Sequence, residues 1–442
     1  MHSHNTGRYV EPYGHAIPSP SLMRLANEGT MFKNAHSAAP TCSPSRGSFL
    51  TGTYPHLCGM FGLAHRGFAM SDYEMHIARR LKKSGYTTLV AGVEHTAPSL
   101  DMVGYDRVLS SYDTNYPTDS PQTDPAQAVC DFLQSAPPSG DSSDGKTPFF
   151  LSLGLNETHR QFPKADPSKF PAEDPRFARP IATFPDTAET RAEAADLKAA
   201  VREMDSYYGM VLDALDASGQ AKDTYVFCFT DHGLQFPRNM CNLTTHGTGV
   251  YLIVRGPAHF QPGSVSDALV SLTDLYPTVC ELLGLEVPPH VTGSSLLPLV
   301  DGQKERLHEY LFSEINYHAA YEPTRAIRDD RYVYIERFDN REGLVLSNVD
   351  DTPSKEFLID RGWENEPREQ RMLYDTLFDP HEMRNLVGDS RMSDHLDRLE
   401  AVLSKWMEET NDPLLVGEAP APKGARVNDA DGRSPRDEPK TI

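Results

Sequence analysis

Two prolines four residues apart bracket a cysteine in the stretch Ala39-Pro40-Thr41-Cys42-Ser43-Pro44-Ser45-Arg46-Gly47-Ser48-Phe49-Leu50-Thr51-Gly52. Each proline fixes φ and withholds an N–H, which restricts the chain around Cys42 to a stiff, extended-to-turn path. From about Ser45 to Leu50 the residues suit one or two helical turns, and Gly52 is a natural stop. Cys42 is therefore expected just before a helix N-terminus, where backbone N–H groups and the helix dipole favour an anion. Arg46, about one turn on, is expected to aim its donor fork at the same place. A nucleophile, an anion cradle and a fixed cation thus fall within five residues.

At 442 residues the chain is long for one core and suits a large domain with a smaller one. No apolar run approaches 18 residues, so no transmembrane helix is expected. The net charge of -21 argues against nucleic acid or an anionic membrane as a partner, and any anionic substrate must be drawn in by local positive groups. Cys42, Cys58, Cys130, Cys228, Cys241 and Cys280 form no C-x-x-C pair, so neither a zinc site nor a disulfide framework is indicated.

Ser19 and Pro20 read as N-cap and first residue of a helix through Glu28. Three apolar runs read as buried strands, each ending in polar residues: Thr87 to Val93 before His95, Pro148 to Leu155 before His159, and Tyr225 to Thr230 before Asp231-His232-Gly233. Ligands of open α/β sheets bind outside such carboxyl ends. Between the last two runs, Thr187 to Ala217 carries apolar residues at helical period. After about Lys304 the short runs Tyr310 to Ile315, Thr324 to Ile327 and Tyr332 to Arg337 suggest an antiparallel sheet. Ser393 is expected to cap a helix over Asp394 to Met407, and the tail from about Gly417 has the composition of disorder.

The run C-S-P-S-R followed by L-T-G at 42–52 resembles the signature of the type I sulfatases, the formylglycine-dependent enzymes of the alkaline-phosphatase-like superfamily. Thr230-Asp231-His232-Gly233 resembles that family's metal-binding motif, and the opening His4-Asn5-Thr6-Gly7-Arg8-Tyr9 is similar to a sulfamidase-like branch. The resemblance implies a doubly wound, mostly parallel α/β catalytic domain over 1–304 and a smaller C-terminal α+β subdomain with an antiparallel sheet over 305–416; the composition of 417–442 predicts a disordered tail there. It also implies that a maturation enzyme oxidises Cys42 to formylglycine, the nucleophile toward the sulfur of a sulfated small molecule or sugar. A single Ca²⁺-like divalent cation would be held by Asp231 and His232, with Asn5, His4 and the group at Cys42 completing the shell. Arg46 would steady that group, His95 would help activate it or release the sulfate, and His159 would protonate the leaving oxygen or nitrogen.

Four positions depart from the family pattern. The first apolar strand is expected to be missing, as in a truncated product, His4-Asn5 stand for an Asp-Asp pair, and Val93 and Met240 stand for lysines, with Arg238 near the latter as a stand-in. Two rival readings therefore stay open: a catalytically degenerate binding protein of the same shape, and a phosphoesterase of the superfamily using two zinc ions. The loops 113–147, 160–186 and 339–370 carry no legible specificity code, and compartment and oligomeric state are left open.

Overall fold

Alternation along the strands sets the layers. In the computed structural model, which describes residues 1–112, 124–135, 147–162 and 168–442, strand β6 (Val226–Thr230) turns Val226 and Cys228 to one face and Phe229 to the other. The first face packs against the helices Pro20–Glu28 (α1), Pro125–Ser135 and Ala188–Ala217 through Leu22, Leu25, Val129, Leu197, Val201 and Tyr208. The second packs against Cys42–Thr51 (α2) and Leu275–Leu282 through Phe49, Leu50, Leu275 and Tyr276. Each such buried Leu or Phe contributes roughly 1.5–3 kcal/mol, so the two layers hold the sheet from both sides.

The main sheet has nine strands, built on β1 (His2–Ser3), β2 (Thr30–His36), β3 (Thr87–Gly92), β4 (Arg107–Ser110), β5 (Phe149–Leu155), β6, β7 (Gly249–Val250), β8 (Leu252–Arg255) and β9 (Ser264–Ser271). Its order is β4-β3-β5-β1-β6-β8-β2-β7, with β9 also paired to β2. The run β4-β3-β5-β1-β6 is parallel throughout, and helices cover both faces, giving the doubly wound α/β architecture. A separate antiparallel sheet, β10 (Leu311–Tyr317), β11 (Tyr321–Arg328), β12 (Tyr332–Arg337) and β13 (Arg371–Asp375), packs one face on the helix Ser393–Glu409 through Leu399, Leu403 and Trp406.

Four expectations need correction. The first strand is present: His2 and Ser3 pair with Gly154 and Leu155 of β5 and with Phe229 and Thr230 of β6. Two residues suffice because parallel neighbours flank them on both sides. Residues 417–442 are ordered, with Arg426–Val427 (β14) paired to Lys440–Thr441 (β15). Ala419, Ala425 and Val427 are buried with Phe68, Met70 and Tyr317, a tertiary burial that outweighs the tail's polar composition. Ser393 is the first residue of its helix, preceded by a 3-10 turn whose cap is Asp389. Met240 is core, buried against Ile315, Val333 and Met372 of the second sheet, and Arg238 pairs with the exposed Glu366. The loop 113–147 falls largely outside the described residues.

Candidate active site

Four neighbouring strands, β3, β5, β1 and β6, end on the same edge of the sheet and deliver His95, His159, His4-Asn5 and Asp231-His232 respectively. Strand order, not sequence spacing, makes neighbours of segments more than 200 residues apart. Helix α2 starts at Cys42 after the extended Thr41 and ends at Gly52, whose φ of 71° is the left-handed turn glycine tolerates. All ten of its residues are buried although half are polar. Most of the polar groups are satisfied within the protein: Ser45 Oγ donates to the Asp231 carbonyl, Thr51 Oγ1 donates to the Gly47 carbonyl, and Ser43 Oγ accepts from Ala64 N–H, while Ser48 Oγ has no partner.

Cys42 Sγ lies 3.4 Å from His232 Nε2 and 3.8 Å from Asn5 Oδ1. The Asp231 carboxylate accepts from the backbone N–H of Asn5 at 2.8 Å and of His232 at 2.9 Å. It also takes Arg46 Nε at 3.2 Å and Nη2 at 3.0 Å, so the fork expected to face Cys42 grips Asp231 instead. The third nitrogen of Arg46 faces His2 Nδ1 at 3.2 Å and the Val93 carbonyl at 3.3 Å. Arg46 and Asp231 are both fully buried, and neither could be removed without leaving a buried unpaired charge.

Ligand-capable atoms of His4, Cys42, Asp231 and His232 all lie within 4.8 Å of one another, and all four residues are buried. His4 Nε2 has no hydrogen-bond partner and sits 3.4 Å from Asp231 Oδ2, while its Nδ1 lies 3.2 Å from Asn156 Oδ1. An orphaned imidazole nitrogen beside a carboxylate, with a second imidazole and an amide oxygen close by, fits one divalent cation. The donor set of two imidazoles, one carboxylate and one amide oxygen is softer than the all-oxygen shell that calcium prefers. The other ligand-like group among the described residues, His56–Glu314–Asp412, is occupied by Arg325, which binds Asp412 at 2.5 Å. It offers no second metal beside Cys42 of the kind a two-zinc phosphoesterase needs.

The histidines form an outward series. The His4 ring lies 4.5 Å from the His159 ring and 6.1 Å from that of His95, tilted to both, and His95 Nε2 meets His65 Nδ1 at 2.9 Å. His4 is buried, His95 and His159 are half-buried and His65 is exposed, so the series marks the mouth of the pocket. Burial pushes the imidazoles of His4, His95, His159 and His232 below their ordinary values; positive neighbours add to this at His4 and His95, while Asp350 opposes it at His159 and Asp231 at His232. Burial and the Asp231 carboxylate push the Cys42 thiol well up, against the pull of Arg46, so the unmodified thiol stays protonated. Asn5 and His95 both have left-handed backbone, φ 62° and 64°, a conformation costing on the order of 1–3 kcal/mol that clusters at functional sites.

Sequence reasoning missed His2, His65, Gln235 and Asp350. Gln235 accepts from Asn5 Nδ2 at 2.7 Å and from Arg160 N–H at 2.8 Å, and donates to Asp350 at 2.6 Å. None of these stands in a motif. Gln235, two residues beyond Gly233, is the one that proximity to the Asp231 motif could have flagged.

Comparison with known proteins bears on this arrangement directly. Residues 3–285 match the Sulfatase family model, and residues 232–360 match that of the N-sulphoglucosamine sulphohydrolase C-terminal region. The chain is 28% identical to human N-sulphoglucosamine sulphohydrolase, over 90% of this chain and 87% of that one. It is also 28% identical to an ulvan-active sulfatase of Formosa agariphila, over 95% and 82%. A protein solved in complex with its substrate D-glucosamine-2-N,6-O-disulfate shares the fold at a TM-score of 0.69 and 17% identity, over 94% of this chain and 98% of that one. With the family model spanning most of the chain and the Cys42, Asp231 and His232 motifs meeting at one sheet edge, this protein belongs to the sulfatase family.

Proposed function

We propose that this sulfatase hydrolyses a sulfate ester or N-sulfate on a sugar, with residue 42 converted from cysteine to formylglycine by a maturation enzyme and one divalent cation bound by Asp231, His232, His4 and Asn5. The observation that carries the reading is the convergence of Cys42, His4, Asp231 and His232 within 4.8 Å at the carboxyl edge of the sheet. Sugar sulfates as the substrate class rest on the relatives, one named for N-sulphoglucosamine and one solved with a disulfated glucosamine.

The net reaction takes R–O–SO₃⁻ and water to R–OH and hydrogen sulfate. The S–O bond breaks (S–N in a sulfamate), water's hydroxyl ends on sulfur, and a proton ends on the leaving atom. The hydrated aldehyde at position 42 would supply an oxygen nucleophile, and the cation would polarise the sulfate oxygens. Arg46 holds Asp231 through Oδ2, the same oxygen that faces His4 Nε2, so it positions the ligand set. His159, half-buried beside His4, is assigned the proton delivered to the leaving oxygen or nitrogen. His95, held by His65 at 2.9 Å, is assigned the proton of the group at position 42. The resemblance implies Ca²⁺, whereas the two imidazole ligands lead us to expect tighter binding of Mn²⁺ or Zn²⁺.

The test is co-expression with a formylglycine-generating enzyme, mass spectrometry of the Cys42 peptide, and sulfate release from an aryl sulfate and from glucosamine N-sulfate. Conversion of Cys42 with turnover of either substrate supports the reading. Fully converted, cation-loaded protein that releases no sulfate overturns it in favour of a non-catalytic binding role, which Val93 and Met240 in place of lysines would then explain.

A further inference from the structure

Beyond the mouth of the pocket two arginines are held together without a carboxylate partner among the described residues. Arg66 lies one residue after His65, and Arg426 belongs to β14 of the C-terminal segment. Arg426 Nη2 donates to the His65 carbonyl at 2.5 Å. Arg66 in turn donates to Asn428 Oδ1 at 2.6 Å, to the Pro435 carbonyl at 3.0 Å and to the Arg426 carbonyl at 3.4 Å. Among the described residues neither guanidinium has a carboxylate partner. The segment's neighbouring cations are matched differently: Arg433 pairs with Glu364, Arg436 with Asp351 and Lys440 with Asp429.

In a chain of net charge -21, an acidic neighbour for two adjacent cations would be the ordinary outcome. Two like charges kept close, one of them half-buried, cost free energy that a bound anion would recover. A buried imidazole lies on the way to the pair. His318 is nine-tenths buried in the turn between β10 and β11, its Nδ1 has no partner, and it is affected by Arg66 as well as by His232, His65 and His159, which places it between the Cys42 site and Arg66. His65, though its side chain reaches solvent, is affected in the same way: partial desolvation, with Arg66 and Arg426 adding to it, lowers its imidazole to about 4. The path outward from Cys42 therefore runs through His4, His95 and His65 to this pair.

We propose that Arg66 and Arg426 form an anion subsite at the pocket mouth, which binds a second carboxylate or sulfate of an acidic sugar chain while a first sulfate occupies the Cys42 site. This rests on the sulfatase reading above and extends it to a polyanionic substrate. Planar guanidinium forks suit either oxyanion by bidentate hydrogen bonding. The C-terminal segment thereby contributes a specificity group to the pocket, one reason for its tight seating on Phe68, Met70 and Tyr317.

The test uses the full chain with Cys42 unmodified and divalent cation present, so that binding is read without turnover. Calorimetry compares three probes: glucosamine N-sulfate with one anionic group, glucosamine-2-N,6-O-disulfate with two on one ring, and a disaccharide of N-sulfoglucosamine linked to a uronic acid. Wild type should prefer at least one two-anion probe over glucosamine N-sulfate. Arg426→Gln should cut that preference about tenfold, the scale of one lost charge-assisted contact, and Arg426→Lys should restore most of it. A loss with the disulfate identifies the second group as a sulfate, and a loss with the disaccharide identifies it as a carboxylate. No preference in wild type, an unchanged preference in Arg426→Gln, or no binding of the two-anion probes overturns the subsite. Thermal melting of each variant separates unseating of the tail, which Arg426→Lys would not repair, from loss of charge. Failure of the sulfatase reading is registered independently, as absent sulfate release by the converted protein.

Discussion

The Sγ of Cys42 and the Nε2 of His232, residues 190 positions apart, lie 3.4 Å from each other. One stands at the first turn of a buried helix and the other at the end of a parallel strand, so their contact depends on the docking of α2 on the sheet. Chemistry at either residue is consequently sensitive to the other, and to the Asp231–Arg46 pair that fixes the strand end.

Replacing Cys42 by alanine removes the atom at the centre of this cluster. Cys42→Ala should abolish sulfate release while leaving circular dichroism unchanged and the melting temperature within a few degrees, since one small side chain at the edge of α2 is lost. Retained turnover of an aryl sulfate would show that residue 42 is not the nucleophile's precursor.

Asn5 contributes a neutral oxygen where a carboxylate would bind a cation more tightly. Asn5→Asp should raise divalent-cation affinity about tenfold or more, because ligand charge is one of the terms that sets it. The gain is limited by the 2.7 Å contact with Gln235 Oε1, an acceptor that would then face a carboxylate. Titration calorimetry with Ca²⁺ and with Mn²⁺ on both forms checks the affinity change and the order of the two ions. An unchanged midpoint for Asn5→Asp would remove Asn5 from the ligand set.

Glu157 gives the protein a pH dependence through a carboxyl that is not among the proposed cation ligands. Burial pushes its carboxyl up to about 7, and its Oε2 has no hydrogen-bond partner. The folded protein holds this proton more tightly than the unfolded chain does. Stability is therefore lost as pH rises from the unfolded value near 4.3 through about 7. Glu157→Gln should flatten that decline, stabilising the protein at pH 8 by about 2–3 kcal/mol relative to pH 5. Melting temperatures of both forms across that range test it, and parallel curves would refute it.

Gly233 closes the Asp231-His232 motif where two backbones meet. A Cβ there would stand 1.9 Å from the His246 carbonyl oxygen and 2.8 Å from Gly247 Cα, with no side chain free to yield. Gly233→Ala should destabilise the fold by roughly 1–3 kcal/mol and weaken cation binding by displacing Asp231. Denaturant unfolding and cation titration read the two effects separately.

Much of this protein was legible before any tertiary structure. The periodicities of Thr87 to Val93, Pro148 to Leu155 and Tyr225 to Thr230 marked three strands within a residue or two of their observed limits. The motifs around Cys42 and Asp231, singled out by their resemblance to a family's, marked residues that the structure brings within 4.8 Å of one another, because a motif is a property of contiguous residues. What escaped is what depends on partners distant in sequence. Two residues sufficed for β1 only because β5 and β6 flank it. Met240 became core because the second sheet covers it, and Arg46 turned to Asp231 because strand order brought that carboxylate within reach. The tail read as disordered from composition alone, yet three small apolar side chains found a hydrophobic surface on another part of the chain. Short-range pattern decides which elements form and what chemistry they carry. Burial and charge pairing between distant segments decide where that chemistry points, and neither is written in any window of consecutive residues.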